Sequence, residues 1–228
     1  MKKRLICFST IVSLLFAFFL SLETALPQAT FGQPRPGDRK EGMERIAVMP
    51  FLKAVPGENM TETLDSPVSG FYFNYENVAD DADRILSQRL QDALRARHGE
   101  KVVQLPTVEE VYGRIPEDEK QGTPRALAQK LGRELNATHV MIGMVWRYTE
   151  RIGGPYGAER PASVAFAVYL IETRNGRLLW KAQYKEKQKS LSENLMSTPS
   201  FIKRRGRWLT AGELLEEGIK DIFIGYPY

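Results

Sequence analysis

The chain has 228 residues, and its 32 Lys and Arg against 28 Asp and Glu leave a formal charge of only +4. That length suits one domain able to bury roughly 70% of its unfolded surface. So small a basic excess, with one cysteine and two histidines, argues against a nucleic-acid binder, a disulfide scaffold or a cysteine-rich metal fold.

Residues 1–32, MKKRLICFSTIVSLLFAFFLSLETALPQATFG, read as an export signal. Lys2, Lys3 and Arg4 form a positive start, no charge appears from Leu5 to Leu22, and small residues with a proline follow. Cys7 precedes the apolar run instead of ending it, which argues against a lipid anchor at that position. Cleavage after Ala29 and after Gly32 both stay open. So does an uncleaved anchor, because the uncharged run reaches roughly 27 Å as a helix, close to the ~30 Å hydrocarbon core. In each case the basic end stays in the cytoplasm and the rest is delivered outside, to the periplasm or cell envelope. Membrane association through residues 5–22 belongs to the uncleaved form. Cutting after Gly32 removes Lys2, Lys3, Arg4 and Glu23, leaving 29 basic and 27 acidic residues, a net of +2, and no cysteine. Residues 33–44, opening QPRPGDRKEG, form a flexible tether. Residues 45–228 form a single domain.

Residues 45–52, RIAVMPFL, are an apolar run closed by Pro50 and predict a buried first strand. A Gly-, Pro-, Ser- and Thr-rich insertion over 53–77 ends in GFYFNYEN; a connection this long inside a domain is functional or disordered. Two readings of Phe71, Tyr72, Phe73 and Tyr75 stay open. They are a covering flap or extra edge strand with rings in the core, or a partner-binding surface, since aromatics mark interface hot spots. As a strand, Phe71, Phe73 and Tyr75 share a face expected to be buried, and Tyr72 points the other way, toward a partner.

Val78, Ala82, Ile85, Leu86, Leu90, Ala93 and Leu94 then recur at helical spacing. Asp80, Asp81 and Asp83 stand at the start, with Arg95, Arg97 and His98 before Gly99, the charge order that the helix dipole favours. KVVQLP (101–106) predicts a second strand, TVEEVYG a short helix from Thr107, and EDEKQG a solvated loop. Thr123 and Pro124 supply the N-cap and first position of a helix with Leu127, Leu131 and Leu135 on one stripe. THVMIGMVWRY predicts a strand with Val140, Ile142, Met144, Trp146 and Tyr148 on one face. In the next run, Val164, Phe166, Val168 and Leu170 share a face while Ala165 and Ala167 line the other, as in a central strand. Asn175-Gly176 predicts a type I′ hairpin turn. Beyond it Leu178, Trp180, Ala182 and Tyr184 alternate with Lys181, Gln183 and Lys185, and lysines of this kind protect a sheet edge. Thr210 and Glu213 make a capping box for a last helix with Leu214, Leu215, Ile219, Ile222 and Phe223 on its stripe. The order predicts an α/β (α+β) domain: one mixed β-sheet of about five strands, three to four helices, and a C-terminal β-meander followed by a helix.

Few residues suggest chemistry. His98 lies at a helix end and His139 opens a strand, neither with Cys, Asp or Glu at metal-ligand spacing. GGPYG (153–157) has no helix after it, so it reads as a hairpin loop and not a phosphate cradle. No Gly-x-Ser-x-Gly elbow, P-loop or His-Glu-x-x-His run is present. No cofactor, metal or catalytic residue is expected, although a carboxylate pair in an exported hydrolase stays open as an alternative. Lys203, Arg204, Arg205 and Arg207, beside Trp208, form the strongest basic cluster. They read either as a solvated turn with Trp208 in the core or as a site for glycan or anionic lipid. Export argues against nucleic acid.

RIAVMPF, ADRILSQRLQDAL, KVVQLP, ALAQKLGRELNATHVMIGMVWRY and VAFAVYLIETRNGRLLWKAQY together resemble a periplasmic α/β superfamily. It includes the periplasmic domain of the curli-secretion lipoprotein, the lipoprotein activators of penicillin-binding proteins, and the N-terminal domain of the Tol propeller protein. Ile46, Val48, Pro50, Phe51, the 137–143 stretch, Glu172-Thr173 and Leu179-Trp180 carry the resemblance, over 45–228. Such positions set a fold and leave activity open. The chain departs from many relatives in having no lipobox cysteine. It also lacks the long alternating hairpins that a pore would need. The resemblance implies a non-enzymatic envelope domain that binds envelope proteins as an accessory to secretion or wall assembly. A homo-oligomer is carried as a further expectation.

Overall fold

A computed structural model describes residues 43–54, 63–65, 72–74, 76–188 and 207–228. The export signal and nearly all of the tether lie outside the described residues, as do Phe71, Tyr75, Lys203, Arg204 and Arg205.

The sheet is built on one long hairpin. Strand β5 (His139–Thr149) pairs antiparallel with β8 (Ser163–Glu172), from His139 opposite Glu172 to Thr149 opposite Ser163. On the outer side of β5 run β1 (Ile46–Val48) and β2 (Leu52–Lys53), both parallel to it. On the outer side of β8 runs β9 (Leu178–Lys187), antiparallel. The result is a mixed five-stranded sheet in the order β1-β5-β8-β9, with β2 also on β5. All ten residues of β8 are buried, which is what apolar or small residues on both faces dictate for a central strand. Among the described residues β9 has a strand neighbour on one side only, as its lysines suggested.

Helices cover both faces, as the expected α+β architecture requires. On one face α1 (Ala82–His98) and α5 (Ala211–Ile222) bury Leu86, Leu90, Leu94, Leu214, Leu215 and Ile222 against Val164, Phe166, Val168, Leu170 and Trp180. On the other, α2 (Leu105–Arg114) and α4 (Pro124–Glu134) bury Val108, Leu127 and Leu131 against Val140, Ile142, Ala165 and Tyr169. Thr123 caps α4 by accepting from the Ala126 N–H at 3.2 Å, and Thr210 with Glu213 forms the capping box of α5. Among the described residues no helix is long and apolar enough to cross a membrane.

A kink separates β1 from β2. Three residues stand between Val48 and Leu52 where two stand opposite them in β5. Pro50 has no N–H for the ladder, and the Phe51 N–H leaves it to reach Ser87 Oγ at 2.9 Å. The Phe51 ring lies against Gly143, where a Cβ would stand 2.2 Å from it. Gly143 is the gap that this aromatic fills.

Several local expectations are corrected. The second strand expected in KVVQLP is one parallel bridge, Val102 to Ile46, with the Val103 N–H on the Ile46 carbonyl at 2.9 Å. Helix α2 begins at Leu105 instead of Thr107 and takes Pro106 into its first turn, where its missing N–H costs nothing. The EDEKQG loop contains α3, one turn over Glu117–Lys120. Tyr148 does not share a face with Trp146. A register shift between Val145 and Arg147 makes Trp146 an extra residue, so Tyr148 faces α1 and α5 while Trp146 faces away. A second shift, between Leu170 and Ile171, likewise turns Leu178 away from Trp180. The 173–176 turn is not type I′, because Gly176 has φ +70° but Asn175 is not at positive φ. The Glu172 N–H donates to the Arg177 carbonyl, and the Gly176 N–H to that of Glu172, closing a longer loop.

Candidate functional site

The two ends of the β5–β8 hairpin hold the features available for recognition. Past Thr149 and Ser163 the two strands continue as a narrow arm, β6 (Ile152–Gly154) paired with β7 (Gly157–Arg160). Gly153 stands at φ +96°, and a Cβ there would lie 2.7 Å from the Gly157 carbonyl, so only glycine fits. Nearly every position of the arm is exposed, and Tyr156 at its tip is 76% exposed. At the base, the Trp208 N–H donates to the Pro155 carbonyl at 2.8 Å and the Arg151 guanidinium donates to the Trp208 carbonyl. Trp208 is buried, as expected of a residue stapled into the core.

Trp208 thereby brings the end of the basic cluster to the arm. Arg207 is not an isolated cation there, since it pairs with Glu213 at 2.8 Å. The Thr210 N–H, then the Arg207 guanidinium, hold the Glu213 carboxyl below its usual range against the opposing effect of burial. Lys203, Arg204 and Arg205 lie outside the described residues. Tyr72 and Phe73 fall in β4 (Tyr72–Asn74), which pairs antiparallel with β3 (Thr63–Asp65), Phe73 opposite Leu64 and Tyr72 opposite Asp65. The aromatic run therefore includes a strand, placed in a ribbon separate from the five-stranded sheet. The assignment of its faces, and Phe71 and Tyr75 themselves, lie outside what is described.

At the other end of the hairpin, a half-open pocket of about 600 Å³ lies among the end of α4, the start of β5 and the 173–176 turn. Its lining includes Gly132, Arg133, Asn136, Thr138, His139, Glu172, Thr173 and Arg174. His139 is buried, and its Nδ1 lies 2.9 Å from Thr138 Oγ1. Glu172 is also buried, and its carboxylate accepts from Asn175 Nδ2 at 2.8 Å and from Arg177 Nε and the Arg174 guanidinium at 3.3 Å each. Burial alone would raise the Glu172 carboxyl; the Asn175 hydrogen bond and the charges of Arg177 and Arg174 outweigh it and hold the group below its usual range. Thr173 is 6% exposed, and its Oγ1 has no hydrogen-bond partner.

No motif pointed to this pocket. Arg133 is an ordinary residue of the last turn of α4, Asn136 and Thr173 are turn residues, and of the three only Asn136, at φ +50°, has an unusual backbone. His98, at the end of α1, packs its ring edge-on to Tyr226 at 5.7 Å. Burial, then Lys101 and Arg97, lower its proton affinity. Among the described residues no three His, Cys, Asp or Glu are placed to hold a metal ion.

No family model matches the chain, and no curated protein matches it. Solved structures do. A PelC dodecamer from Paraburkholderia phytofirmans is 16% identical, with 86% of this chain and 96% of that one covered, at a TM-score of 0.45. Lipoprotein GNA1162 from Neisseria meningitidis is 15% identical over 71% of this chain and 96% of that one, at 0.40. The LpoB C-terminal domain from Salmonella enterica is 14% identical over 64% of this chain and 84% of that one, at 0.34.

Proposed function

We propose that the chain is a non-enzymatic cell-envelope domain, exported through residues 1–32 and carried on the 33–44 tether, which binds envelope proteins as an accessory to assembly or secretion. One observation carries this reading. Tyr72 and Phe73 form a strand in a ribbon of their own, while the five-stranded sheet already has helices on both faces. An aromatic strand outside an already covered sheet suits contact with a partner, and Tyr72 is the residue we propose to touch it.

The carboxylates near the two ends favour this reading over a hydrolase. A general acid needs a raised pKa, and a catalytic pair needs two carboxyls facing one substrate. Glu172 and Glu213 are both held low, Glu150 accepts from the Ala211 N–H at 3.1 Å, and Glu76 binds Arg147 at 3.0 Å. All four serve turns, caps or ion pairs. The anionic-lipid alternative is weakened because Glu213 already neutralises Arg207.

A photo-reactive side chain at Tyr72 in cells, followed by pull-down and mass spectrometry, tests the reading. Enrichment of one or a few envelope proteins, lost when the probe moves to exposed Glu100, is expected. If neither position captured envelope proteins, the partner-binding reading would fail.

A further inference from the structure

We infer that residues 224–228 form an acid-released strap over the tether end of the domain, with His98 as the group that lets it go. The inference goes beyond partner binding and concerns how the domain holds the chain where the tether enters. The sequence has two histidines, and both rings meet this one segment. His98 lies edge-on to Tyr226 at 5.7 Å, and His139 is tilted against Tyr228 at 6.0 Å. Tyr226 also stands edge-on to Trp180 and to Phe223, at 5.1 Å each, and 5.8 Å from Tyr228. Its hydroxyl donates to Met43 Sδ at 3.6 Å. The segment therefore runs from the end of α1 to the start of β5 and touches the residue at which the tether meets the sheet.

Aromatic rings fasten the strap, and it belongs to no sheet ladder. The Tyr226 N–H donates to the Phe223 carbonyl at 3.3 Å, and the Gly225 carbonyl accepts from Trp180 Nε1 at 3.1 Å. Arg45, two residues past Met43, is held differently. Its carbonyl accepts from the His139 N–H at 3.1 Å and from the Thr138 hydroxyl at 2.9 Å. Opening the strap thus frees Met43 and uncovers Trp180 while β1 stays paired, a local opening and not an unfolding.

His98 is suited to trigger that opening. Its Nε2 is buried and has no hydrogen-bond partner. A neutral ring tolerates this by leaving that nitrogen bare. Protonation places an N–H there with no acceptor and a charge out of water, and both favour the open form. Two charges act on the ring, Lys101 in the turn Gly99–Lys101 and Arg97 beside it, and both are positive. Arg97 lies over the Phe223 ring at 4.1 Å, at the root of the strap. From the strap itself, burial pushes the Tyr226 hydroxyl further up, so it stays neutral and offers no counter-charge. Burial first, then Lys101 and Arg97, lower the proton affinity of His98. The closed form is therefore fully stable above the ordinary histidine value of about 6.5 and loses stability as pH falls through the lower folded value. His139 differs. The Thr138 hydroxyl spends its hydrogen on Arg45, so it accepts from His139 Nδ1 at 2.9 Å, and Glu172, opposite on β8, stays charged throughout this range.

Methyl NMR of the full chain in mild detergent, with carbon-13 in the methionine methyls, tests this from about pH 7.5 to about pH 5, across the histidine range. The Met43 methyl should leave the position it has beside the Tyr226 phenol, with a midpoint matching the titration of the His98 ring proton. The methyls of Met49 and Met141, buried in the sheet, should keep theirs. His98→Phe keeps a ring that cannot titrate, and His98→Gln is neutral with a different shape. In neither variant should the Met43 position depend on pH, and Met49 and Met141 report that each is folded. A Met43 signal that holds across the range in the wild type overturns the strap. A shift that persists in both variants overturns His98 as its trigger, and Met49 and Met141 moving together with Met43 would mean global unfolding, which overturns the inference as well.

Discussion

At the His139–Glu172 rung the central hairpin is enclosed by neighbours, whereas past Thr149 and Ser163 the same two strands run on with no further strand beside them among the described residues. At the enclosed end β1 and Val102 lie outside β5, and β9 lies outside β8. The C-terminal turn closes over β9 there, with Trp180 stacked 6.3 Å from Phe223 and edge-on to Tyr226 at 5.1 Å. At the arm, Trp208 ties the base through Pro155 and Arg151, and the tip meets solvent. The difference lies in what flanks each end, since both ends belong to antiparallel pairs. Stability should therefore concentrate at one end and adaptability for contact at the other.

The largest expected effect tests the enclosed end. Trp180→Ala removes a fully buried ring and its hydrogen bond to the Gly225 carbonyl at 3.1 Å. It should destabilise the domain by about 3–5 kcal/mol in urea unfolding. A loss below about 1 kcal/mol would show that the C-terminal cluster contributes little, and the contrast would collapse.

Glu172→Gln sharpens the contrast at the same end by leaving the packing and removing the charge. Loss of charge-assisted hydrogen bonds in the turn should cost about 1.5–3 kcal/mol at neutral pH. The sign of the pH dependence follows from the lowered carboxyl. Its contribution is present above the unfolded value of about 4.3 and is lost as pH falls through the still lower folded value. Unfolding curves of the two proteins should thus converge on acidification, and a gap independent of pH would mean that the carboxylate charge is not what holds the turn.

The smallest effect belongs to the arm. Tyr156→Ala should leave stability within about 0.5 kcal/mol. A cost comparable to that of Trp180→Ala would mean that the tip is packed in the folded monomer, and the two ends would no longer differ in kind.

Much of the framework was legible because it rests on local chemistry. The Thr210–Glu213 box, the Thr123 cap and the run from Ala82 to His98 involve residues within a few positions of one another. The central place of β8 was legible in two interleaved apolar rows, and the edge place of β9 in its lysines. Errors arose wherever a single residue had to be inserted or reassigned. Alternation carries no mark of the bulge at Trp146, yet that one residue moves Tyr148 to the other face. Asn175-Gly176 matches a tight turn, but the carboxylate of Glu172 gathers Asn175, Arg174 and Arg177 into a wider one.

The candidate site shows the same division more sharply. Crowded aromatics at 71–75 and bases at 203–207 stand out as composition. Thr173, Arg133 and Asn136 do not, and they come together only when the end of α4 meets the 173–176 turn beside the start of β5. By itself the sequence determined the long helices, the three long strands and most of their inward faces, because capping and periodicity act over a few residues. Only the tertiary structure decided that one hairpin would end in a pocket and an arm. Which neighbours flank a strand depends on contacts between residues far apart in the chain, such as Val102 with Ile46 and Trp208 with Pro155, and no local pattern encodes them.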